Sequence, residues 1–212
     1  MDIVYPLGPG SQWRNNELRY SLRSLKGHVA HHKVFVVGVK PDWYCGLHVP
    51  FKDEPGRIVS NQVLKLEEMV HLPELSEWFI WMNDDFFFTG IWRDRTVYHR
   101  RCTPPRSGVY AQAYQNARDL VGPGHDYELH YPVIYSKTRV RRILERTRLR
   151  NFAFRTVYFH GMKSQPADDC KVFKWNEPPK PFFSSSSRLV HDPAFQQWLE
   201  RAYPEPSLFE YE

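Results

Sequence analysis

The segment 78–88 constrains this chain most, because it places two acids, Asp84 and Asp85, between two strongly apolar runs. Buried carboxylates are costly unless a cation meets them. The apolar residues before the acids are mostly aromatic or β-branched, which is typical of a strand buried on both faces of a parallel sheet. We therefore expect Asp84 and Asp85 to emerge at the carboxyl end of that strand, which is the edge where open α/β sheets bind their ligands.

Two carboxylates at such an edge suit a divalent metal, Mg²⁺ or Mn²⁺, and the metal in turn suits a substrate diphosphate. The alternative is that Asp84 and Asp85 only open a turn, where Asp is common. An Asn-Asp-Asp turn followed at once by three phenylalanines is a poor solvent loop. The segment therefore favours Asp84 and Asp85 as metal or ligand contacts.

The first third of the chain alternates strand and helix patterns. Apolar runs predict strands, 3.6-residue spacing predicts helices, and Asn15 or Asn16 and Ser60 or Asn61 are the candidate helix caps. The predicted strands are 2–5, 33–38 and 79–82, and the predicted helices are 16–25 and 60–71. This order indicates an α/β fold with a single Rossmann-like, mostly parallel sheet flanked by helices, in one domain over residues 1–212.

The remainder of the sequence is less regular. We expect strands at 109–114 and 156–159, a basic helix at 137–147, a mobile Pro- and Ser-rich loop at 178–187, and a final helix at 193–202.

Composition fits one soluble core, since 42% of the 212 residues are hydrophobic. No apolar run is long enough to cross a bilayer, and the first residues lack the features of a signal peptide. We expect a cytoplasmic protein with no membrane contact and no obligate protein partner. The widely spaced Cys45, Cys102 and Cys170 indicate reduced thiols without a catalytic role.

The formal net charge is +5, and arginines concentrate in two groups, 93–106 and 137–155. On the predicted basic helix, Arg139, Arg142 and Arg146 line one side, while Arg100 and Arg101 belong to the earlier group. One interpretation is a solvated helix face with extended arginine side chains. The other is contact with nucleic acid or polyphosphate, because clustered arginines neutralise phosphates well.

Several of these segments together resemble the Stealth family, whose members are sugar-phosphate and glycosyl transferases of the GT-A type. The matching parts are 2–5 with Gly10-Ser11, 16–25, and 79–87, followed by His130-Tyr131-Pro132 and a closing block at 203–210. The chain departs from the family pattern after Tyr5, where Pro-Leu-Gly follows. The resemblance implies a GT-A-like fold, a divalent metal and a nucleoside diphosphate sugar donor, with a UDP-sugar favoured. It leaves open whether a sugar or a sugar phosphate is transferred.

A second similarity is His160-Gly161-Met162-Lys163, which looks like the His-x-Gly-x-x-Lys element of some retaining GT-A transferases, with shorter spacing. It implies that His160 completes the metal site and that Lys163 meets the donor diphosphate. The alternative for His160 is a hydrogen-bonded core residue.

The donor nucleotide is expected over the carboxyl ends of the first strands. Tyr5 can stack on or hydrogen-bond the base, Arg14 and Arg19 can reach phosphate or ribose, and the loop amide of Gly10 lies nearby. The alternative for Arg19 is a surface ion pair with Glu17.

The sugar pocket is expected to include Asn61 and Lys65, which lie one turn apart on the second helix, although Lys65 is equally typical of a plain surface lysine. Asp84 is then either the second metal ligand or a contact to the reacting sugar. For the acceptor side, an inverting displacement needs a proton acceptor. His130 carries the family similarity for that role, with Asp126 and Glu128 as substitutes.

Compact members that resemble this chain include phage-type enzymes that glycosylate hydroxymethylated pyrimidines in DNA. That similarity favours DNA carrying 5-hydroxymethyluracil or 5-hydroxymethylcytosine as the acceptor, in the host cytoplasm if the chain is viral. The first alternative is a sugar or sugar-phosphate transferase acting on a capsular or cell-envelope glycan. The second is a non-catalytic nucleotide- or DNA-binding module that keeps the fold.

Overall fold

A computed structural model describes residues 1–101, 107–175 and 181–211. In chain order the elements are β1 (Asp2–Leu7), α1 (Asn16–Ser24), β2 (Val34–Gly38), β3 (Leu47–Pro50), α2 (Ile58–His71), β4 (Trp78–Trp81), β5 (Phe86–Phe88), β6 (Tyr98–Arg100), α3 (Gly108–Val121), β7 (Val133–Ser136), α4 (Lys137–Arg146), α5 (Phe154–Phe159), β8 (Gln165–Ala167), β9 (Lys171–Val172), β10 (Phe182–Ser185), a 3-10 helix (Leu189–His191) and α6 (Pro193–Ala202).

The central sheet has five strands in the order β3-β2-β1-β4-β7. β1 runs parallel to both β2 and β4, and β2 runs parallel to β3, whereas β7 is antiparallel to β4. The prediction of a mostly parallel α/β sheet flanked by helices is confirmed.

Both faces of this sheet are buried, as the unbroken apolar runs of its strands predict. Val4 and Trp81 face a layer formed mainly by α2, α4 and α5. Ile3 and Ile80, one residue away in each strand, face α1 and the phenylalanines of β5. The aromatic run before the acids is therefore held from two sides.

Two small sheets complete the fold and bring the second half of the chain to the first. β10 pairs antiparallel with β5 and parallel with β9. β6 pairs parallel with β8. The first of these sheets starts directly after Asp85, so it fixes the direction in which the acid pair leaves the central sheet.

The helices predicted at 16–25, 60–71, 137–147 and 193–202 correspond to α1, α2, α4 and α6. Ser60 and Asn61 lie inside α2 and do not cap it, because that helix begins at Ile58. Asn15 occupies the position before α1, but its side chain makes no capping hydrogen bond.

Two predicted strands are wrong. Residues 109–114 belong to α3, and residues 156–159 belong to α5. Every residue of α5 is buried, including Arg155 and Thr156, so its sequence shows no helical period, and such a short run does not distinguish a buried strand from a buried helix. The strands β3, β6, β7, β8, β9 and β10 were not expected from the sequence.

The mobile loop expected at 178–187 lies partly outside the described residues, and its remainder includes β10. Within the described ranges, none of the helices has the length and apolar character needed to cross a bilayer.

Candidate active site

A cavity of about 690 Å³ opens at the carboxyl edge of the central sheet. Its polar lining includes residues from three parts of the chain: Gly8, Gly10 and Ser11 after β1; Asn83, Asp84 and Asp85 after β4; and His130, Lys171 and Ser185 from the later half. Charged side chains of Glu17, Arg100, Glu128 and Arg155 also line it. Its apolar lining comes from the central sheet, α2 and the segment that enters α5: Val63, Leu66, Trp81, Tyr135, Phe152 and Phe154. A cavity of this size, apolar on one side with a few converging polar groups, is typical of a small-molecule site.

The loop that joins β1 to the cavity is held by its own side chains. Ser11 Oγ accepts hydrogen bonds from the backbone N–H groups of Trp13 (3.2 Å) and Asn15 (2.8 Å) and donates one to Glu17 (2.9 Å). Arg14 and Asn15 both have left-handed backbone angles, with φ of 54° and 58°. Such a conformation is strained for residues with a Cβ and persists only where surrounding contacts impose it.

Asp85 is fixed by the small sheet that follows it. Its carboxylate Oδ2 accepts a hydrogen bond from Ser184 Oγ at 2.9 Å, and Lys171 Nζ lies 3.9 Å away. Its carbonyl oxygen accepts a hydrogen bond from the Ser185 N–H at 3.0 Å. Across the described residues, the other carboxylate oxygen, Oδ1, is buried and has no hydrogen-bond partner.

Burial raises the proton affinity of both acids, and Asp85 raises that of Asp84 further. Burial raises the pKa of Asp84 above the ordinary carboxyl value, and the charges of Asp85 and Glu17 raise it further. Burial also raises the pKa of Asp85, although Lys171 and His130 oppose the effect. A cation placed at this pair would remove the repulsion, because an opposite charge within a few ångströms favours the ionised form.

The donor set fits a divalent ion that keeps most of its ligands outside the protein. Asp85 Oδ1 has no hydrogen-bond partner among the described residues, so it is available as a metal ligand. Asp84 lines the cavity beside it. The described ranges contain no group of three His, Cys, Asp or Glu side chains that could hold a metal. Mg²⁺ is commonly bound by one or two carboxylates, with water and substrate phosphates completing its shell.

His130 belongs to a chain of charged groups along the cavity wall. Its Nδ1 lies 2.9 and 3.0 Å from the two carboxylate oxygens of Asp169, and its Nε2 lies 3.4 Å from Lys171 Nζ. Arg100 forms an ion pair with Asp169, since one of its guanidinium nitrogens lies 3.1 Å from Asp169 Oδ2. The sequence similarity that indicated His130 therefore leads to a residue that does line the cavity.

Among the predicted donor contacts, Gly10 lines the cavity, and the structure places the others elsewhere. Tyr5 is fully buried under α1, with its hydroxyl 3.0 Å from Ser21 Oγ. Lys65 is also buried, since its Nζ donates to the Leu7 carbonyl oxygen at 2.9 Å and lies 2.7 Å from Asp53 Oδ1.

The remaining predicted donor residues are held by other contacts. The Asn61 side chain bonds to the backbone N–H and carbonyl of Glu54, which secures the loop before α2. Arg19 lies 3.3 Å from Glu210 and over the Trp43 ring. Arg14 also lies near Trp43, whose indole N–H donates to the Arg14 carbonyl oxygen at 3.4 Å.

The structure separates three further predicted residues from the acid pair. Asp126 is fully buried and its carboxylate lies 3.2 Å from Arg100 Nε, so it supports the wall behind His130. His160 caps the end of α5, and Lys163 lies on the exposed turn that follows. Neither His160 nor Lys163 lines the cavity, because residues 156–159 form a helix and do not form the strand that would have delivered them there.

The five arginines predicted to contact nucleic acid divide into two groups. Arg100 is engaged with acids of the cavity wall, and Arg139 donates to the Tyr158 carbonyl oxygen at 2.6 Å and lies over that ring. Arg142 and Arg146 are exposed on α4, and Arg101 is exposed beside Asp168.

Sequence reasoning missed three residues of the site, namely Lys171, Ser184 and Asp169. All three follow or lie in short strands. Lys171 and Ser184 reach Asp85 only through pairing of distant segments, and Asp169 reaches His130 from a position 39 residues away. The one available signal was the run Asp168-Asp169-Cys170-Lys171, which sets two acids and a cation side by side.

Comparison with solved structures gives distant similarities to glycosyltransferases. The glycosyltransferase GlyE from Streptococcus pneumoniae TIGR4 is 10% identical, with a TM-score of 0.40 over 77% of this chain and 44% of that one. Mouse xyloside xylosyltransferase 1 in its apo form is also 10% identical, with a TM-score of 0.40 over 99% of this chain and 94% of that one. The chain thus spans less than half the length of the GlyE structure. No family model and no curated protein sequence matches the chain. These similarities are too low to assign an activity, which must be argued from the cavity.

Proposed function

We propose that this chain is a metal-dependent glycosyltransferase of the GT-A type, which moves a sugar from a nucleoside diphosphate sugar to a hydroxyl group. The observation that carries the proposal is the acid pair at the carboxyl edge of the sheet, with Asp85 Oδ1 buried and unpartnered among the described residues. A loop with two glycines and a histidine line the same cavity as the pair. A sugar transferase needs these three elements to hold a diphosphate, a metal and an acceptor.

Each part of the proposed site has its own role in binding the donor. The loop at Gly8 and Gly10 allows close approach of the donor, since a glycine has no side chain to exclude it. Asp85, with Asp84 beside it, would hold Mg²⁺ or Mn²⁺. When bound, that ion supplies positive charge to the departing diphosphate. Lys171 adds a second positive charge 3.9 Å from Asp85. A UDP-sugar is the favoured donor, in keeping with the Stealth resemblance.

His130 is the proposed proton acceptor for the incoming hydroxyl. It lines the same cavity as the acids and keeps 30% of its side chain exposed. Asp126, a substitute for this role, is fully buried and therefore suits support of Arg100 better than contact with a substrate.

The proposed acceptor is a hydroxymethylated pyrimidine in DNA. Arg142 and Arg146 are exposed on α4 and the net charge is +5, which favours contact with phosphates. The aromatic wall of the cavity suits a flipped base as well as a sugar ring.

A capsular or cell-envelope glycan is the second candidate acceptor. Arg100 pairs with Asp169 and Arg139 donates to the Tyr158 carbonyl oxygen, so fewer arginines are available to bind DNA phosphates, which favours this acceptor. The third candidate is a nucleotide- or DNA-binding module without catalysis, which predicts donor binding and no turnover.

One experiment separates these candidates. The protein is incubated with a panel of nucleotide sugars and Mn²⁺ or Mg²⁺, together with DNA with or without hydroxymethylated bases, or with glycan acceptors. Mass spectrometry of nucleosides and glycans then identifies the product. A sugar found on the modified base supports the DNA proposal, and a sugar found only on glycan supports the second candidate. Donor binding without release of nucleotide, with every metal and acceptor, would refute the transferase proposal.

A further inference from the structure

Asp169 contacts both the ring and the backbone of His130. His130 approaches it with Nδ1, at 2.9 and 3.0 Å from the two carboxylate oxygens, and with its backbone N–H, at 3.0 Å from Oδ1. A carboxylate only accepts hydrogen bonds, so the imidazole proton must lie on Nδ1. Burial alone raises the pKa of Asp169, but the hydrogen bonds and the charge of His130, together with the charge of Arg100, outweigh burial and bring it to about 2. Asp169 is therefore ionised at neutral pH.

Lys171 is compatible with the same tautomer from the opposite side of the ring. Its Nζ lies 3.4 Å from His130 Nε2. An ammonium group only donates, so this contact uses the Nε2 lone pair. The contact is long, whereas the Asp169 oxygens lie 2.9 and 3.0 Å from Nδ1, so Asp169 decides the tautomer, with the proton on Nδ1 and the basic nitrogen toward the cavity. Which ring nitrogen is protonated is normally set by the hydrogen bond that the other nitrogen makes.

We propose that Asp169 is the positioning residue that holds His130 in the tautomer competent for proton abstraction. This inference rests on the proposed function. In the step it serves, the acceptor oxygen forms its bond to the anomeric carbon, and the bond from that carbon to the diphosphate oxygen breaks. The acceptor proton passes to His130 Nε2, and the diphosphate leaves with the electron pair of the broken bond. The carboxylate of Asp169 stabilises the imidazolium that results, as an orienting acid does in other base-acid pairs.

Lys171 links this pair to the donor site. The same ammonium that contacts His130 Nε2 lies 3.9 Å from Asp85 Oδ2.

The test compares Asp169→Asn with the parent protein by two readouts. The first is the ¹⁵N chemical shift of the His130 imidazole without substrates, which reports the tautomer. An asparagine amide can donate to Nδ1, so we expect the proton to move to Nε2. The second is steady-state kinetics, in which we expect kcat to fall by about a hundredfold or more while the donor KM is unchanged.

Asp168→Asn is the matched control. Asp168 is the adjacent acid, its side chain is 84% exposed, and it lies 3.6 Å from Arg101. It should change neither the tautomer nor kcat. Asp169→Glu retains an acceptor-only carboxylate and should keep the Nδ1–H tautomer. If Asp169→Asn does not fold, Lys171→Met addresses the same question, because the tautomer should survive loss of the lysine when Asp169 determines it.

An unchanged tautomer or an unchanged kcat in folded Asp169→Asn, with an active parent, overturns this inference and leaves the proposed function standing. Loss of the Nδ1–H tautomer in Lys171→Met also overturns it. A parent that turns over no nucleotide sugar refutes the proposed function, and the role of His130 as a base falls with it.

Discussion

Replacing Lys65 by Met should destabilise the protein strongly, because that lysine forms a buried ion pair. Its side chain is 1% exposed, its Nζ lies 2.7 Å from Asp53 Oδ1, and it donates to the Leu7 carbonyl oxygen at 2.9 Å. Removing one member of a buried pair leaves the other charge uncompensated, which costs about 3–5 kcal/mol. We therefore expect the free energy of unfolding, measured by urea denaturation, to fall by about that amount.

A double variant separates the contribution of the Lys65–Asp53 ion pair from that of the hydrogen bond to the Leu7 carbonyl oxygen. Lys65→Met with Asp53→Leu removes both charges and should recover most of the loss. It still leaves the Leu7 carbonyl without its donor, which costs about 1–3 kcal/mol. The control is Lys33→Met, since Lys33 is exposed and makes one bond to the Glu74 carbonyl oxygen, so its effect should stay within about 0.5 kcal/mol. If Lys65→Met costs no more than Lys33→Met, the pair does not stabilise the loop after β1, and Lys65 is again a candidate for the sugar pocket.

Three further predictions concern the site, the basic helix and the C-terminal segment. Asp85→Asn should leave the circular dichroism spectrum unchanged while abolishing donor turnover, and full activity in this variant would remove Asp85 from the metal site. Charge reversal at Arg142 and Arg146 should weaken DNA binding and flatten its salt dependence while leaving nucleotide affinity unchanged, whereas equal loss of both would count against DNA as acceptor. Burial raises the pKa of Glu210, but hydrogen bonds led by Arg23 outweigh it, so its pKa lies below the ordinary value. The stability that Glu210 contributes is therefore present above the unfolded-state pKa and is lost as pH falls through the lower folded pKa. Glu210→Gln should accordingly be less stable than the parent at pH 7 in thermal melts, with a difference that shrinks under acidic conditions. A difference that stays constant with pH would show that folding does not lower the pKa of Glu210.

The sequence was most informative where burial on two faces produced long apolar runs or a clear helical period. β1, β2 and β4 follow from such runs, and α1 follows from the spacing of Leu18, Leu22 and Leu25. The pattern failed where an element was wholly buried, as in α5, because every side chain there meets the core and no period separates core from water. It also failed in α3, where the fully buried residues, Ala113 and Ala117, are small and stand out little from their surroundings in the sequence.

The site was predicted in part for a similar reason. Asp84 and Asp85 stand out in the sequence because burying two carboxylates between apolar runs costs free energy unless they bind a cation. Lys171 and Ser184 could not be found, because β9 and β10 are two and four residues long and carry no readable period. Tyr5 and Lys65 were assigned to the donor from the chemistry of their polar ends, whereas the structure uses those ends to satisfy buried partners within the protein.

The distance in sequence between Asp85 and Ser184 has a consequence for biosynthesis. Ninety-nine positions separate the two residues whose side chains bond in the finished protein. A growing polypeptide can pair the first four strands of the central layer on the ribosome, yet Asp85 stays hydrated until β10 has emerged. A product that stops before β10 should therefore lack the finished site, even where its first four strands have folded.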